Sequence, residues 1–463
     1  MHQESQALTA GQDRSAERRG LRKVGFASLV GTTIEYYDFF VYGTAAALVF
    51  PKVFFPSASP AMGTIASFAT FGVAFFARPI GSVLFGHFGD KIGRKRTLVW
   101  TLLIMGLSTV LIGLFPGYDT GVFGIFDNGI GIWAPVLLVV MRFLQGLAMG
   151  GEWAGATLLA AEYAPKGERG RMAMYPQLGP PLAFFLASGT FFVASITVGA
   201  TSETFINYGW RLPFIASIVL VMVGLWIRLT VDETPVFKAH LANKKRETAP
   251  VKLPFGEAIR LQWKQIVLSG LAMSTLFAMF YIGSTFLTSY GTGKLEFSRT
   301  MILGFGMIAA LVLAIATVGA AILSDRIGRR KVIAGSYVIA FFWSLLLFPL
   351  LDSGSPIAFL IAVTITLSLY GIANGPAGAL LPELFQSRFR YTGAGLSYNL
   401  GGIIGGAIPP ILAAQIVAHY PSIWVGVLLA GLSAVSLICV LALPETSKND
   451  LNDAPVAAAT VRT

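Results

Sequence analysis

The sequence predicts an all-α membrane protein with twelve transmembrane helices in two six-helix bundles. Three observations support this fold class: few charged residues, repeated apolar segments and an internal repeat. The chain of 463 residues is 55% hydrophobic and only 12% charged, whereas soluble globular proteins carry about 25% charged residues. A chain this apolar would expose large apolar patches in water, so we expect most of it to lie in lipid.

Apolar stretches of roughly 20 residues, the length of a membrane span, recur along the chain from Val24 to Leu443. A helix rises 1.5 Å per residue, so about 20 residues cross the ~30 Å hydrocarbon core. A backbone in lipid must satisfy its own hydrogen bonds, which favours a helix for each stretch. The predicted spans are 24–50, 61–87, 97–115, 135–161, 172–197, 212–231, 264–291, 298–324, 332–351, 355–381, 393–418 and 421–443.

The basic residues predict the orientation of these spans. Of the 34 Lys and Arg residues, 28 fall in, or at the edge of, the tails and loops on one side. Only Lys52, Arg211, Lys294 and Arg299 fall on the other side. Cytoplasmic loops carry the excess of Lys and Arg, so we expect both termini in the cytoplasm of a bacterial cell and the spans in its inner membrane. The net charge of +11 follows from this rule and does not indicate a nucleic-acid partner.

The longest predicted inner loop divides six spans from six. The predicted organisation is therefore a cytoplasmic tail, a bundle, a linker, a second bundle and a second tail, at 1–23, 24–231, 232–263, 264–443 and 444–463. The first tail is polar and basic and lacks the apolar core of a cleavable signal. We expect the first span itself to direct the chain to the membrane.

The sequence holds no pattern typical of an enzyme active site. It has no nucleotide-binding loop, no Cys and His cluster at metal-ligand spacing and no Ser/His/Asp set in a shared soluble region. Its single cysteine, Cys439, cannot form an internal disulfide. We therefore expect a protein with no catalytic residues, no bound metal and no cofactor.

The two halves repeat a motif after their second span. Residues 88–96 (FGDKIGRKR) match residues 323–331 (LSDRIGRRK). A repeat of six spans indicates two bundles related by an axis along the membrane normal, with a site between them. Such an architecture serves alternating access, in which the bundles rock about a central site.

These loops resemble the signature of the major facilitator superfamily. Further motifs resemble its metabolite:proton symporter branch: TIEYYDFF at 33–40, ARPIG at 77–81, RFLQG at 142–146, GGE at 150–152 and GWRLP at 209–213. Within the branch the sequence is most similar to shikimate-permease-like members, through SPAMG at 59–63 and GHFGD at 86–90. The resemblance implies the major facilitator fold and proton-coupled symport of a small organic acid, shikimate-like or another carboxylate metabolite. A proline/betaine osmolyte symporter and a facilitated uniporter stay open as alternatives.

Ionisable residues inside spans predict the proton-coupling site, because a charge in the bilayer costs at least ~2.5–3.5 kcal/mol. Asp38 lies about 21 Å and Arg142 about 20 Å from the inner surface, so the two share a level and a salt bridge is possible. Related symporters pair a first-span acid with a fourth-span arginine. Our hypothesis is that Asp38 carries the proton and Arg142 tunes its proton affinity. Glu35, one turn earlier, is an alternative or shared carrier. The competing interpretation is a static pair.

A second group of residues is predicted to control conformation. Arg78 and Glu152 share a level near the cytoplasm and form either an inner gate or a structural brace. The repeated loops imply, by the resemblance, a charge latch that closes the inner side, although topology alone explains most of their basic residues. The latch residues are Asp90, Gly93, Arg94, Asp325, Gly328 and Arg329.

Polar and aromatic side chains in the spans predict a central pocket for a small molecule. The selected residues are Tyr37, Tyr42, Arg142, Gln145, Gln177, Tyr281 and Asn399. They come from a wider set that also holds Tyr36, Trp153, Asn374 and Tyr398. The alternative is that such residues only join helices. Arg142 or Arg78 is also a candidate for holding a substrate carboxylate. The expected partners are the substrate, a proton and the bilayer, and the expected state is a monomer.

Overall fold

The structure is a computed structural model. It describes residues 25–26, 28–92, 94–122, 128–150, 167–199, 203–230, 254–386 and 389–448, and a few single residues between 153 and 164. At 86, 87, 89–92, 94, 95, 228, 230, 254 and 255 it describes the backbone alone.

The described residues of the first half form six long helices and one short helix. Helix α1 covers 28–48 and is followed by a short helix at Phe50–Val53. The next four are α2 (Pro60–Ile92), α3 (Arg94–Leu114), α4 (Trp133–Met149) and α5 (Arg169–Gln177 and Gly179–Val198). A π-helical segment at Phe205–Gly209 leads into α6 (Arg211–Thr230).

The second half forms six more helices. Helix α7 runs through Pro254–Tyr281, a π-helical segment at Ile282–Phe286, and Leu287–Gly293. The next three are α8 (Arg299–Ile327), α9 (Arg329–Leu351) and α10 (Pro356–Glu383). Helix α11 comprises Arg390–Gly401, a π-helical segment at Gly402–Ala407, and Ile408–His419, and α12 is Ile423–Ala442.

These helices confirm the predicted fold class. In the described part of the chain, ten helices are long and apolar enough to cross a membrane, and α4 is a shorter apolar helix. Helix α1 carries the acids Glu35 and Asp38, which lower its mean hydropathy. The predicted linker differs in one respect, because its last residues from Pro254 are already helical and join α7 across a kink at Gln262 (φ −125°, ψ 22°).

The distribution of side chains is that of a protein in lipid. Large apolar residues lie on the outside, with Ile315 72% and Trp226 68% exposed, while Arg142 and Arg211 are fully buried. In water this arrangement would be unstable, because apolar surface belongs inside and charge outside. In a bilayer the outer surface meets hydrocarbon and the polar groups must find partners within the bundle.

Close packing of α2 against α4 sets the position of two arginines. A Cβ on Gly146 would lie 2.4 Å from the carbonyl oxygen of Ala74, and one on Gly150 would lie 2.0 Å from that of Arg78. Only glycine permits this approach, and small residues serve the same purpose at other membrane helix contacts. The contact brings Arg78 of α2 and Arg142 of α4 to the same side of α1.

The two halves meet along α5 and α8 and along α2 and α11. Helices α7 and α11 both change to π-helix along this interface. Such segments occur frequently at functional sites in helices. The interface is therefore where the site of a two-bundle transporter is expected.

Candidate transport site between the two halves

A cavity of about 260 Å³ lies between the halves. The first half contributes Tyr36, Arg78, Met149, Gly150 and Trp153, and the second contributes Gly395, Tyr398 and Asn399. Of the selected pocket residues, Asn399 lines this cavity. Tyr36, Trp153 and Tyr398 come from the wider set, and Arg78 from the group expected to act as a gate.

Two hydrogen-bond donors at this cavity have no acceptor in the described part of the chain. They are the side-chain nitrogen Nδ2 of Asn399 and the Nε of Arg78. Another guanidinium nitrogen of Arg78, Nη2, donates to the soft sulfur of Met149 at 3.0 Å. Buried donors without acceptors cost about 1–3 kcal/mol each, and more when charged. The cavity therefore presents an unfilled site for an acceptor such as a carboxylate.

Aromatic contacts across the interface wall the cavity. The hydroxyls of Tyr36 and Tyr398 are 2.6 Å apart and share a hydrogen bond. The rings of Trp153 and Tyr398 stack with centroids 3.6 Å apart and planes 7° from parallel. Both contacts join the first half to the second, so an opening of either side of the interface would have to break them.

Gln177 of α5 and Asn374 of α10 form an amide pair between the halves. The Nε2 of Gln177 donates to the backbone carbonyl of Asn374 at 2.9 Å, and the Nδ2 of Asn374 donates to the carbonyl of Gln177 at 3.2 Å. The indole of Trp153 donates to the Oε1 of Gln177 at 3.3 Å. The structure thus places Gln177 in a bond between halves next to the cavity, with its side-chain groups already paired.

Asp38 is 1% exposed, and neither of its carboxylate oxygens has a hydrogen-bond partner among the described residues. Thr109 of α3 and Arg142 of α4 are near enough to influence its charge. Within the described chain, Asp38 forms no ion pair with an N···O distance of 4.0 Å or less. A proton removes the cost of such a buried, unpaired carboxylate.

Arg142 is bound by neighbours other than Asp38. Its Nη1 donates to the Oε1 of Gln145 at 3.1 Å, and its Nε donates to the carbonyl of Phe71 at 3.4 Å. The Nε2 of Gln145 donates in turn to the hydroxyl of Thr109 at 2.7 Å. Asp38 and Arg142 lie near each other, as their predicted depths allow. Arg142 is hydrogen-bonded to Gln145, however, and does not form the direct salt bridge with Asp38 that the depths made possible.

The other predicted site residues lie around this centre. Tyr37 donates to the carbonyl of Pro213 at 3.1 Å and packs within the first half. Tyr42 donates to Thr70 at 2.7 Å, and its ring lies 4.2 Å from the Arg142 guanidinium carbon. Tyr281 of α7 packs on Phe75 with centroids 5.1 Å apart. Glu35 is buried at 6% exposure.

The predicted latch of the second half joins the two halves at the end of the bundle that carries the basic loops. The two carboxylate oxygens of Asp325 accept from the backbone N–H groups of Gly170 and Arg171, both at 2.9 Å. These N–H groups belong to the first turn of α5, where an anion is favoured. Arg329 pairs with Asp325 at 2.6 Å.

Of the predicted latch and gate residues of the first half, the structure describes the side chain of Arg78. Glu152 and Gly93 lie outside the described residues. The side chains of Asp90 and Arg94 also lie outside the described part, although their backbone is helical.

Sequence reasoning did not select Glu383 and Glu445, which complete this network. The carboxylate of Glu383 lies 3.6 Å from both Arg169 and Arg329. Glu445 accepts from the backbone N–H of Arg329 at 2.9 Å and caps α9. Gly328 permits this contact, since its φ is +106° and a Cβ would lie 2.4 Å from Glu445. The signal in the sequence was repetition, because Glu383 and Glu445 each stand at the end of a predicted span where the other half of the chain has a similar acidic residue.

A second polar cluster lies at the opposite end of the second half. The carboxylate of Asp352 accepts from the hydroxyls of Tyr290 and Ser422 and lies 3.5 Å from the Nζ of Lys294. Partial burial works against the charge. The hydrogen bonds from Ser422 and Tyr290 and the charge of Lys294 nevertheless hold the pKa of Asp352 below its ordinary value.

Residues 28–403 match the sequence model of the Major Facilitator Superfamily. The chain belongs to this superfamily. It is 44% identical over 434 residues to the inner membrane metabolite transport protein YhjE of Escherichia coli (strain K12), covering 93% of this chain and 95% of that protein. It is 37% identical over 418 residues to the shikimate transporter of the same organism, and the match covers 89% of this chain and 92% of that protein.

The fold agrees with a solved member of the superfamily. The crystal structure of a D-xylose-proton symporter is similar with a TM-score of 0.70 and 18% identity, covering 92% of this chain and 98% of that chain. The resemblance drawn from the motifs is therefore confirmed. The protein is a multi-pass membrane transporter of small molecules and not an enzyme.

Proposed function

We propose that this transporter moves a small organic acid together with a proton across the bacterial inner membrane by alternating access. Both termini would lie in the cytoplasm. One observation carries the proposal: a cavity shared by both halves is lined by a buried cation, Arg78, and an unsatisfied amide, Asn399, and helix α1, which lines it with Tyr36, also carries an unpaired buried acid, Asp38.

The lining of the cavity favours an anionic substrate. Arg78 is the charged residue among the described residues that line it. A guanidinium matches a carboxylate with two parallel hydrogen bonds, and the Nδ2 of Asn399 supplies a further donor. The relatives described above, one of them a shikimate transporter, support a carboxylate metabolite.

The environment of Asp38 favours proton coupling. In our proposal the acid is protonated when Arg142 is held by Gln145, as in this structure. It releases its proton when Arg142 turns to it and forms the ion pair. A proton moving down its gradient supplies ~1.36 kcal/mol per pH unit and ~2.3 kcal/mol per 100 mV. A uniporter would gain neither contribution.

The contacts between halves supply the alternating gate. We assign Asp325, Gly328 and Arg329 to an inner latch that holds α8 against α5, with Glu383 as its second anchor. Opening of the inner side would break the Asp325 contacts to Gly170 and Arg171. Arg78 has a binding role in this proposal in place of the brace considered from the sequence.

A proline/betaine symporter is the second candidate. The rings of Trp153 and Tyr398, which line the cavity, offer an aromatic surface of the kind that attracts a quaternary ammonium group. A zwitterion would place its carboxylate at Arg78 and its ammonium on these rings. One proton with a monovalent acid makes transport electroneutral, whereas one proton with a zwitterion makes it respond to voltage.

The test is uptake into proteoliposomes with an imposed inward proton gradient. The substrates screened are shikimate, 2-oxoglutarate, benzoate, glycine betaine and proline. For a monovalent acid carried with one proton, each pH unit should support about tenfold accumulation, and a membrane potential should not change it. Uptake that only equilibrates would identify a uniporter, and voltage-driven uptake of a betaine would favour the second candidate.

The variant that tests the proton carrier is Asp38→Asn, which keeps the shape of the side chain and cannot carry the proton. It should lose gradient-driven accumulation and retain exchange of labelled for unlabelled substrate. Asp352→Asn makes the same chemical change in the predicted outer loop and should accumulate substrate like the wild type. Undiminished accumulation by Asp38→Asn would remove Asp38 from the mechanism.

A further inference from the structure

The ring of Phe39 lies against both buried arginines at the centre of the first half. Its centroid is 4.0 Å from the guanidinium carbon of Arg142 and 4.6 Å from that of Arg78. Phe39 is 3% exposed and directly follows Asp38 in α1. It therefore contacts the arginine beside the proton site and the arginine in the cavity at once.

The neighbouring rings contact one arginine each. The centroid of Phe71 is 4.8 Å from the guanidinium carbon of Arg142, and that of Phe75 is 4.7 Å from the guanidinium carbon of Arg78. Among the described residues, Phe39 is the ring whose face contacts both guanidinium groups, and Tyr281 of α7 also interacts electrostatically with both arginines. The chain thus supplies two natural controls for any effect of removing the shared ring.

Two cations on one ring influence each other. The negative face of an aromatic ring attracts a guanidinium, and two like charges repel, most strongly where water is excluded. The positive charge of Arg78 acts on Arg142, whose guanidinium lies on the same ring. Any anion that neutralises Arg78 therefore changes how firmly the ring holds Arg142.

We propose that Phe39 is a positioning residue that couples substrate binding at Arg78 to protonation of Asp38, through Arg142. The inference rests on the proposed function and adds the physical link between its two sites. Phe39 itself touches neither the substrate nor the proton.

The coupling follows from charge balance. The structure holds the arrangement that favours a protonated Asp38, because Arg142 lies on the ring and forms no ion pair with Asp38. While no anion is bound at Arg78, its charge repels Arg142, weakens the hold of the ring and favours the move of Arg142 to Asp38, whose carboxylate the resulting ion pair stabilises. A substrate carboxylate that neutralises Arg78 removes this repulsion, so Arg142 stays on Phe39 and Asp38 keeps its proton. By linkage, protonation of Asp38 strengthens substrate binding by the same factor by which substrate binding strengthens protonation.

The pH response belongs to Asp38 and the groups around it. Arg142 of α4 is the neighbouring cation, and Thr109 of α3 supplies a hydroxyl. Glu35, one turn earlier on α1, and Tyr37 are the other titratable neighbours on its own helix. Phe39 is not titratable, so a change in pH profile on replacing it reports the link and not the loss of a proton carrier.

The test compares Phe39→Leu with the wild type in proteoliposomes. The probe is whichever of shikimate, 2-oxoglutarate or benzoate the wild type accumulates most. Leucine keeps an apolar side chain and removes the π face. Phe39→Leu should keep exchange within about twofold of the wild type, because pockets and proton carrier remain. Its gradient-driven accumulation should fall about fivefold or more. Its half-saturation concentration should no longer differ between pH 6 and pH 8, whereas binding of one proton with the substrate changes this concentration up to about tenfold per pH unit.

Three variants separate coupling from packing. Phe71→Leu and Phe75→Leu each remove a ring that serves one arginine, and both should keep a pH-dependent half-saturation concentration. Phe39→Tyr keeps the π face and should restore accumulation. Equal loss of coupling in Phe71→Leu and Phe75→Leu would overturn the inference, since any lost ring would then suffice.

The outcomes distinguish this inference from the proposed function. A wild type that ignores the gradient overturns both. A coupled wild type together with a fully coupled Phe39→Leu overturns the inference alone. If Phe39→Leu does not exchange, binding of the same acid to the purified protein at pH 6 and pH 8 decides. An affinity as pH-dependent as that of the wild type then refutes the link, and a pH-independent affinity supports it.

Discussion

Gln145 shows how one neutral side chain decides the behaviour of two buried charges. It accepts from Arg142 at 3.1 Å and donates to Thr109 at 2.7 Å. The amide satisfies the guanidinium without neutralising it. Arg142 can therefore exchange partners at low cost, because a neutral acceptor competes weakly with a carboxylate.

A carboxylate at this position should hold Arg142 permanently. In Gln145→Glu the new acid is expected to pair with the guanidinium that Gln145 now binds. Arg142 would then be unavailable to Asp38, and gradient-driven uptake should fall by about tenfold, equivalent to ~1.4 kcal/mol. Uptake by the reconstituted variant measures this, and Gln145→Met, which has similar size and no charge, is the control. Wild-type uptake by Gln145→Glu would contradict the role given to Arg142.

At the scale of elements, helix ends are fixed by acids supplied from elsewhere in the chain. Asp325 caps α5, and Glu445 caps α9. Each satisfies backbone N–H groups that no helix can satisfy at its own first turn. Asp352 serves a related purpose at the opposite end, where it joins α7 to the loops before α10 and α12 through Tyr290 and Ser422.

The Asp352 cluster predicts a pH-dependent stability. The pKa of Asp352 is lower in the folded protein than its ordinary value, so the unfolded state binds more protons as pH falls. The contribution is fully present above the unfolded pKa of about 3.9 and is lost as pH falls through the folded pKa. Asp352→Asn should lower the Tm at pH 7 by about 1–3 °C, since the site is partly exposed.

Thermal unfolding of the purified wild type and Asp352→Asn from pH 7 to pH 3 tests this prediction. The difference between their Tm values should be constant from pH 7 to about pH 5 and shrink below about pH 4. Ser422→Ala, which removes one donor and leaves the charge, should show a smaller difference. A Tm difference that persists unchanged at pH 3 would argue against an ionic contribution of Asp352.

At the scale of the whole molecule, the structure is held together by polar contacts between the halves. The Gln177–Asn374 amide pair lies near the cavity, and the Asp325 contacts to α5 lie at the predicted inner end. Each is made by groups that can bind water or lipid headgroups once separated. Besides the aromatic contacts at the cavity, separation of the halves therefore breaks only a few hydrogen bonds, which suits a rocking motion.

Removing the charge of Asp325 should shift the molecule towards an inner-open state. Asp325→Asn loses a charged cap worth about 0.5–2 kcal/mol, which corresponds to roughly a 2- to 30-fold change in population. The measurement uses Ala321→Cys in a Cys439→Ser background, because Ala321 is fully buried in α8 and its carbonyl faces Gly170 of α5. Labelling of this cysteine by a maleimide should accelerate by that factor.

Glu445→Gln is the matched control for Asp325→Asn. Glu445 also caps a helix, but it caps α9 within the second half. Its loss should lower the Tm and leave the labelling rate of the cysteine nearly unchanged. Equal acceleration in both variants would mean that general loosening, and not release of the contact between halves, exposes α8.

Local patterns in the chain predicted the fold well. The spans, the repeat and the levels of Asp38 and Arg142 follow from residue spacing, because each helical residue advances 1.5 Å along the axis. The loop motif likewise predicted that Asp325, Gly328 and Arg329 act together. For Asp90 and Glu152 the same reasoning stays a prediction, since their side chains lie outside the described residues.

The site was predicted less completely because spacing along a helix does not fix its rotation or its neighbours. Asn399 was selected and lines the cavity, whereas Gln177 was selected and is paired with Asn374. Tyr37 was selected as a ligand and packs against Pro213. These differences come from rotations of a single residue step, about 100° around the helix axis.

The sequence by itself determined that this chain is a twelve-helix membrane transporter with a few charges at defined depths. Composition and spacing are sufficient for the helices and the depths, because lipid demands helices and penalises each buried charge, and the resemblance of the loop motifs to a known family supplied the transporter class. Only the tertiary structure decided which groups meet: Arg142 with Gln145, Arg78 with the cavity, and Phe39 with both arginines. Those contacts depend on how closely helices approach and how each is rotated, and packing of residues distant in sequence sets both.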